Sequence, residues 1–165
     1  NVQLVILGEG ELKSTLTGIS KELNIEKSVH FLGFQKNPFK YIAKSKVFVM
    51  TSYYEGFPNA LAEAMACKVP VISTDCPSGP REILVKGELR NPIKYGFSKE
   101  NYGILVPPFN GENDSDVERL IASSIVKIIT NNDYFKFLSE QAYQRIKDFD
   151  IDYIIKEWEK IIFEN

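Results

Sequence analysis

A chain of 165 residues, 44% hydrophobic and 25% charged, is long enough for one soluble globular domain with its own core. Its net charge of −2 lacks the basic excess of a general nucleic-acid binder, and its two cysteines, Cys67 and Cys76, are too few for a secreted disulfide scaffold. No stretch is long and apolar enough to span a bilayer. The opening "NVQLVILG" has neither an initiator Met nor a basic flank, so a chain entered in mid-protein and kept in the cytoplasm is expected.

In chain order, "VQLVILG" is a β-branched run that ends in Gly, the pattern of a strand buried on both faces. Leu12, Leu16, Ile19 and Leu23 then recur at helical spacing. "VHFLGF" reads as a short strand, "NPFKYIAKS" as a short helix with Pro38 near its start, and "KVFVMTS" as another buried strand. Asn59 to Cys67 predicts a helix, "VPVIST" a strand, "SGPREILV" a turn with a short helix, and "NYGILVPP" a last strand closed by prolines. From Asp114 onward the chain predicts about three helices. Strands alternating with helices imply parallel pairing through crossovers, hence a doubly wound, Rossmann-like α/β domain over residues 1–165 with extra C-terminal helices. Such sheets bind ligands beyond the carboxyl ends of their strands. Those ends carry "GEGE", "GFQKN", "TSYYEGFPN" and "TDCPSGP".

The third of these ends raises a chemical question, because seven residues separate two carboxylates, Glu55 and Glu63, around the start of a helix. The amides of Asn59, Ala60 and Leu61 have no partners inside that helix, and with the helix dipole they make a site for a phosphate. Gly56 and Ala60 are small enough for close approach of a ligand to the backbone. Glu63 lies on the face of Asn59, one turn on, where it can accept two hydrogen bonds from a vicinal diol such as a ribose. Glu55, before the turn, can take the hydroxyls of a second polyol. Ribose, phosphates and polyol together describe a nucleotide sugar. The ordinary alternative makes Glu55 a loop acid and Glu63 a first-turn charge that complements the dipole.

At these residues the chain resembles glycosyltransferase family 4, the retaining transferases of GT-B architecture. The resemblance rests on "SYYEGFPNALAEAMACKVPVISTDCPSGPREIL". Glu55 and Glu63 match the acid pair, Gly56 to Pro58 the turn, and Gly79 and Glu82 the later loop. It extends from about Val2 to Trp158 and includes "LVILGEGELKSTL" and "VHFLGF". It implies that Glu63 binds the donor ribose and that Glu55, the catalytic acid of the pair, contacts the transferred sugar. The backbone of Gly56, Phe57, Pro58, Asn59, Ala60 and Leu61 receives sugar and diphosphate. Gly33, Phe34 and Gln35, after "FLG", border the nucleobase. No metal or other cofactor is implied, because amides and basic side chains neutralise the leaving diphosphate.

The family's phosphate-binding Arg and Lys come from a strand and helix preceding "NVQLVILG", so the resemblance implies a donor-binding fragment. It would lack its first β–α unit and the amino-terminal acceptor domain, and would be inactive alone. UDP is the favoured nucleotide. Similarity to members that build bacterial surface polysaccharides favours hexose or N-acetylhexosamine donors and a glycan or lipid-linked acceptor. It also implies work at the inner face of the membrane by peripheral association. An epimerase or phosphorylase of the same architecture, a non-catalytic nucleotide- or glycan-binding module and a glycosidase are the rival readings.

Other signals read as structural. "GEGE" lacks the third glycine of a dinucleotide fingerprint, and Glu9 and Glu11 would repel a pyrophosphate. "DSD" at Asp114 to Asp116 predicts a helix cap by Asp114 or Ser115 with Glu118 completing a capping box. His30, the only histidine, has a structural or exposed place on its strand. Arg81 either faces the donor or pairs with Glu82 or a surface acid. Tyr53 and Phe57 divide between core and sugar platform. The apolar positions of the tail, among them Ile154, Trp158 and Ile161, are expected to pack into a core or toward a partner domain.

Overall fold

A computed structural model describes residues 2–86 and 101–163. The chain divides into two compact units, Asn1–Lys40 and Tyr41–Asn165.

In the first unit β1 (Leu4–Ile6) pairs in parallel with β2 (Val29–Phe31), Leu4 opposite Val29 and Ile6 opposite Phe31. Helix α1 (Lys13–Glu22) makes the crossover, and left-handed Asn24 (φ 57°) reverses the chain just beyond it. The turns after the two strands are joined by a bond from the Gly8 amide to the Gly33 carbonyl at 2.9 Å. Both glycines have positive φ, 112° and 65°, which a side chain would resist. His30 is exposed and bonds through Nε2 to Gln3 Oε1 at 2.6 Å, the structural place expected for it. One expectation fails here. The strand forms, but it is not buried on both faces: Leu4 and Val5 are 52% and 44% exposed. Within the unit β1 has β2 on one side only, and the expected apolar stripe of α1, Leu12, Leu16, Ile19 and Leu23, is exposed as well.

The second unit starts within α2 (Phe39–Ile42) and is built on a three-stranded parallel sheet in the order β3 (Phe48–Met50), β4 (Val71–Thr74), β5 (Ile104–Val106). Register is set by Phe48 opposite Val71 and Ile72 opposite Ile104. Strand alternation sorts the apolar residues onto two faces. Val71 and Leu105 pack with Leu61, Met65, Ile83 and Leu84 of α3 (Asn59–Ala66) and α4 (Gly79–Leu84). Ile72, Ile104 and Val106 pack with Val117 and Ile128 of α5 (Asp114–Thr130). Helix α6 (Asn132–Ile146) contributes Ala142 to the first cluster and Leu138 to the second. Every residue of β4, the central strand, and of β5 is buried, as strands covered by helices on both faces must be. Full burial of side chains such as Leu61 and Met65 stabilises by roughly 1.5–3 kcal/mol each and fixes α3 against the sheet.

Arg145 of α6 ties α4 down. Its guanidinium donates to the carbonyls of Glu82 (2.8 Å) and Ile83 (3.1 Å) and lies over the rings of Tyr102 and Phe149. It thereby satisfies carbonyls at the end of a six-residue helix that has little else to close it. Arg145→Met keeps most of the apolar stem and removes these donors. The expected loss of stability is about 1–3 kcal/mol, read as a lower urea midpoint at unchanged slope.

One further expectation is corrected and another is narrowed. Helix α5 starts at Asp114, but no capping box forms. Asn113 occupies the cap position without a side-chain cap bond, and the Asp114 carboxylate accepts the amides of Asn110 and Gly111. The carboxylate therefore closes the preceding turn rather than the helix. Helix α7 (Ile151–Phe163) has no buried residue, and Trp158 and Ile161 are about 60% exposed, so the tail's last helix is not packed into a core. The stripe is as apolar as expected. No helix among them is long and apolar enough to cross a membrane.

Candidate functional site

The candidate site of the second unit lies at the carboxyl ends of β3 and β4, where two loops pair as if the strands continued. The Glu55 amide donates to the Pro77 carbonyl (2.9 Å), Ser78 to the Glu55 carbonyl (2.8 Å), and Gly79 to the Gly56 carbonyl (3.0 Å). This pairing needs Gly79. A Cβ at residue 79 would overlap the Gly56 carbonyl oxygen and Pro58 Cδ, and neither can swing away. The chain then turns at Pro58, itself buried, into α3. Gly56 is different: a Cβ there would meet nothing within 4 Å, so it borders open space.

At the start of α3 the Pro58 carbonyl accepts the amides of Leu61 (3.0 Å) and Ala62 (3.2 Å). The sequence led us to expect three open amides, at Asn59, Ala60 and Leu61. Leu61 is buried and its amide is used, so two remain. Among the described residues, the amides of Asn59 and Ala60 have no backbone partner. Both residues are exposed, and no acidic side chain stands in the first turn to offset the positive end of the helix. Glu63 is the fifth residue of α3, past the first turn, which removes the reading of it as a dipole-complementing first-turn charge. It is half-buried, and among the described residues its carboxylate has no hydrogen-bond partner.

Glu55 is half-buried and oriented. Ser52 Oγ donates to its Oε1 at 2.7 Å, and Thr74 Oγ1 donates to the Ser52 carbonyl at 2.7 Å. Behind it sits Cys76, 1% exposed, whose thiol is pushed up chiefly by burial and further by the charge of Glu55. Cys67, four residues after Glu63, is likewise raised by burial and then by Glu63, though it is only partly buried. Both cysteines are free. The sequence alone did not single out Ser52 or Thr74. The signal present was the spacing in "SYYE", which puts a hydroxyl three residues before an acid.

Arg81 pairs with Asp75, an acid that is neither Glu82 nor on the surface. Its Nε donates to Asp75 Oδ1 at 2.9 Å and its Nη2 pairs with Asp75 Oδ2. The Asp75 side chain is only 2% exposed, so this bidentate pair joins the end of β4 to α4 from within. The aromatic residues stand outside the core: Tyr54 is 81% exposed, Tyr53 tilts against Phe109, and Phe57 tilts against Phe149 with ring centroids 5.4 Å apart.

Gly33, Phe34 and Gln35 belong to the first unit. Gly33 forms the left-handed turn after β2, Phe34 is 72% exposed, and the Gln35 side chain donates back to the Leu32 carbonyl at 2.8 Å. Glu55 and the segment from Gly56 to Glu63 are brought together in the second unit.

Known proteins resemble this chain. The family described as Glycosyl transferases group 1 matches residues 1–145. An uncharacterized glycosyltransferase of Methanocaldococcus jannaschii is 42% identical over 172 residues, covering 98% of this chain and 42% of that protein. A Campylobacter jejuni enzyme is 36% identical over 150 residues, covering 91% of this chain and 36% of its own length. Its name is N-acetylgalactosamine-N,N'-diacetylbacillosaminyl-diphospho-undecaprenol 4-alpha-N-acetylgalactosaminyltransferase. Among solved structures, Staphylococcus aureus TarM superposes with a TM-score of 0.76 at 24% identity, over 95% of this chain and 28% of that one. The fold is therefore that of the GT-B glycosyltransferases, and the chain belongs to the group 1 glycosyltransferase family. It spans about two-fifths of the length of the curated relatives it matches.

Proposed function

We propose that this chain is the donor-binding domain of a retaining family 4 glycosyltransferase that uses a UDP-sugar. The observation that carries the reading is the pair of open amides at Asn59 and Ala60, at the positive end of α3 and flanked in sequence by two carboxylates with accepting capacity to spare. In this reading the amides take the diphosphate, Glu63 takes the ribose diol, and Glu55 takes hydroxyls of the transferred sugar. Gly56, with open space where a side chain would stand, admits the sugar to the backbone.

Transfer passes through a charge-separated, oxocarbenium-like state. The amides stabilise the departing diphosphate as its charge grows, which needs no metal and lowers the barrier by electrostatic preorganisation. The attacking hydroxyl belongs to the acceptor, which a partner domain of the whole enzyme would hold, and further basic side chains come from elsewhere in that enzyme. The name of the Campylobacter relative favours an N-acetylhexosamine donor and a lipid-linked acceptor, and hence surface-glycan assembly at the inner face of the membrane. UDP as the nucleotide is in keeping with the solved TarM complex, which contains UDP.

The test is a donor panel. The transferase carrying this chain is incubated with UDP-glucose, UDP-galactose and their N-acetylamino counterparts plus an undecaprenyl-diphosphate glycan, and the product's anomeric proton is read by NMR. One donor consumed, with its anomeric configuration kept in the product, is expected. An inverted product would overturn the retaining mechanism. Donor epimerised without acceptor would favour an epimerase.

A further inference from the structure

We propose that Ser52 is a positioning residue for Glu55, setting the carboxylate that receives the transferred sugar. The proposal rests on the donor-site reading above and deepens it. Glu55 is held at three places, and only one of them is at its carboxylate. Its backbone amide and carbonyl are fixed by Pro77 and Ser78. Its Oε1 is fixed by the Ser52 hydroxyl. Ser52 is in turn anchored, because its carbonyl accepts from Thr74 Oγ1, a residue with no solvent exposure at the end of β4. The rigid central strand therefore reaches the carboxylate through two hydroxyls. A glutamate has three side-chain torsions, and without the Ser52 bond nothing among the described residues would hold the last of them. The bond leaves Glu55 Oε2 available and fixes its direction. A hydroxyl donating to an ionised carboxylate is a charge-assisted bond, stronger and more directional than a neutral one.

A purely structural role for Ser52 makes a different prediction. The loop it belongs to leads into the start of α3, where the diphosphate would sit. If the hydroxyl merely kept that loop folded, its loss would weaken UDP and UDP-sugar in parallel. If it aims Glu55, its loss affects only the part of the affinity that the sugar adds.

The experiment is calorimetry of the wild type, Ser52→Ala and Ser52→Thr with UDP and with a panel of four UDP-hexoses and N-acetylhexosamines. In the wild type the best UDP-sugar should bind more tightly than UDP. In Ser52→Ala that advantage should fall about fivefold or vanish while the Kd for UDP stays within about twofold, as loss of one aligning bond implies. Ser52→Thr retains the hydroxyl and should restore the advantage. An unchanged advantage in Ser52→Ala, or parallel weakening of both ligands, overturns the positioning role and leaves the donor site standing. So does a wild type that binds UDP and every UDP-sugar equally. A wild type that binds no nucleotide overturns the donor reading and this proposal with it.

Discussion

Glu63→Ala should weaken nucleotide binding by tenfold or more, whatever sugar the nucleotide carries. The carboxylate stands half-buried on α3 with no hydrogen-bond partner among the described residues, one turn beyond the open amides. A ribose diol would give it two charge-assisted bonds, each worth roughly 1.5–3 kcal/mol. Removing them costs at least a factor of ten even if water recovers part of the loss. Folding should hardly change, because no hydrogen bond of the carboxylate to the described residues is removed. Glu55→Ala should behave differently: UDP affinity stays close to that of the wild type, and the gain from the sugar disappears along with turnover. Calorimetry with UDP and UDP-sugar separates the two variants, and equal, negligible effects of both would dismiss the assigned division of labour.

The second large effect concerns two glycines on facing loops. Gly79→Ala should lower stability by about 1–3 kcal/mol and abolish nucleotide binding, since its methyl group collides with the Gly56 carbonyl and the Pro58 ring. The loop from Glu55 to Pro58 would have to move, and with it the start of α3. Gly56→Ala should leave the melting temperature nearly unchanged, because a methyl there meets no atom of the described residues within 4 Å beyond its own chain neighbours. It should nonetheless impair binding of the UDP-sugar, because that open space is where the ligand is placed. Thermal melts and titrations of the two variants side by side would show the split. Gly56→Ala with full UDP-sugar affinity would mean that the space is not used by the donor.

Much of this was legible before any coordinates, for reasons that can be traced to particular residues. Strands β3, β4 and β5 are short, largely apolar runs bounded by turn residues, and their parallel order follows from the helices between them. Helix α3 starts at Asn59 as read, because Gly56 and Pro58 punctuate the chain before it. What was missed depends on contacts between distant residues or on how a carbonyl is shared. The Leu61 amide is taken by Pro58, a detail of how the turn enters the helix that no residue pattern encodes. Asp75 captured Arg81 because the end of β4 buries that acid beside α4, whereas sequence proximity had pointed to Glu82. The crowding at Gly79 exists only because two loops pair across the sheet end. Helix α7 shows the complementary limit. Periodicity tells that a helix is amphipathic, not what lies against its apolar side, and the apolar side of α7 is exposed.

The most direct test of the account is an amide-resolved NMR titration of this chain with UDP, GDP and ADP, repeated on Glu63→Ala. Shifts centred on Gly56 to Glu63 are expected, produced by UDP in preference to the other two and lost in the variant. Shifts that avoid the start of α3, or that persist unchanged in Glu63→Ala, would contradict the account.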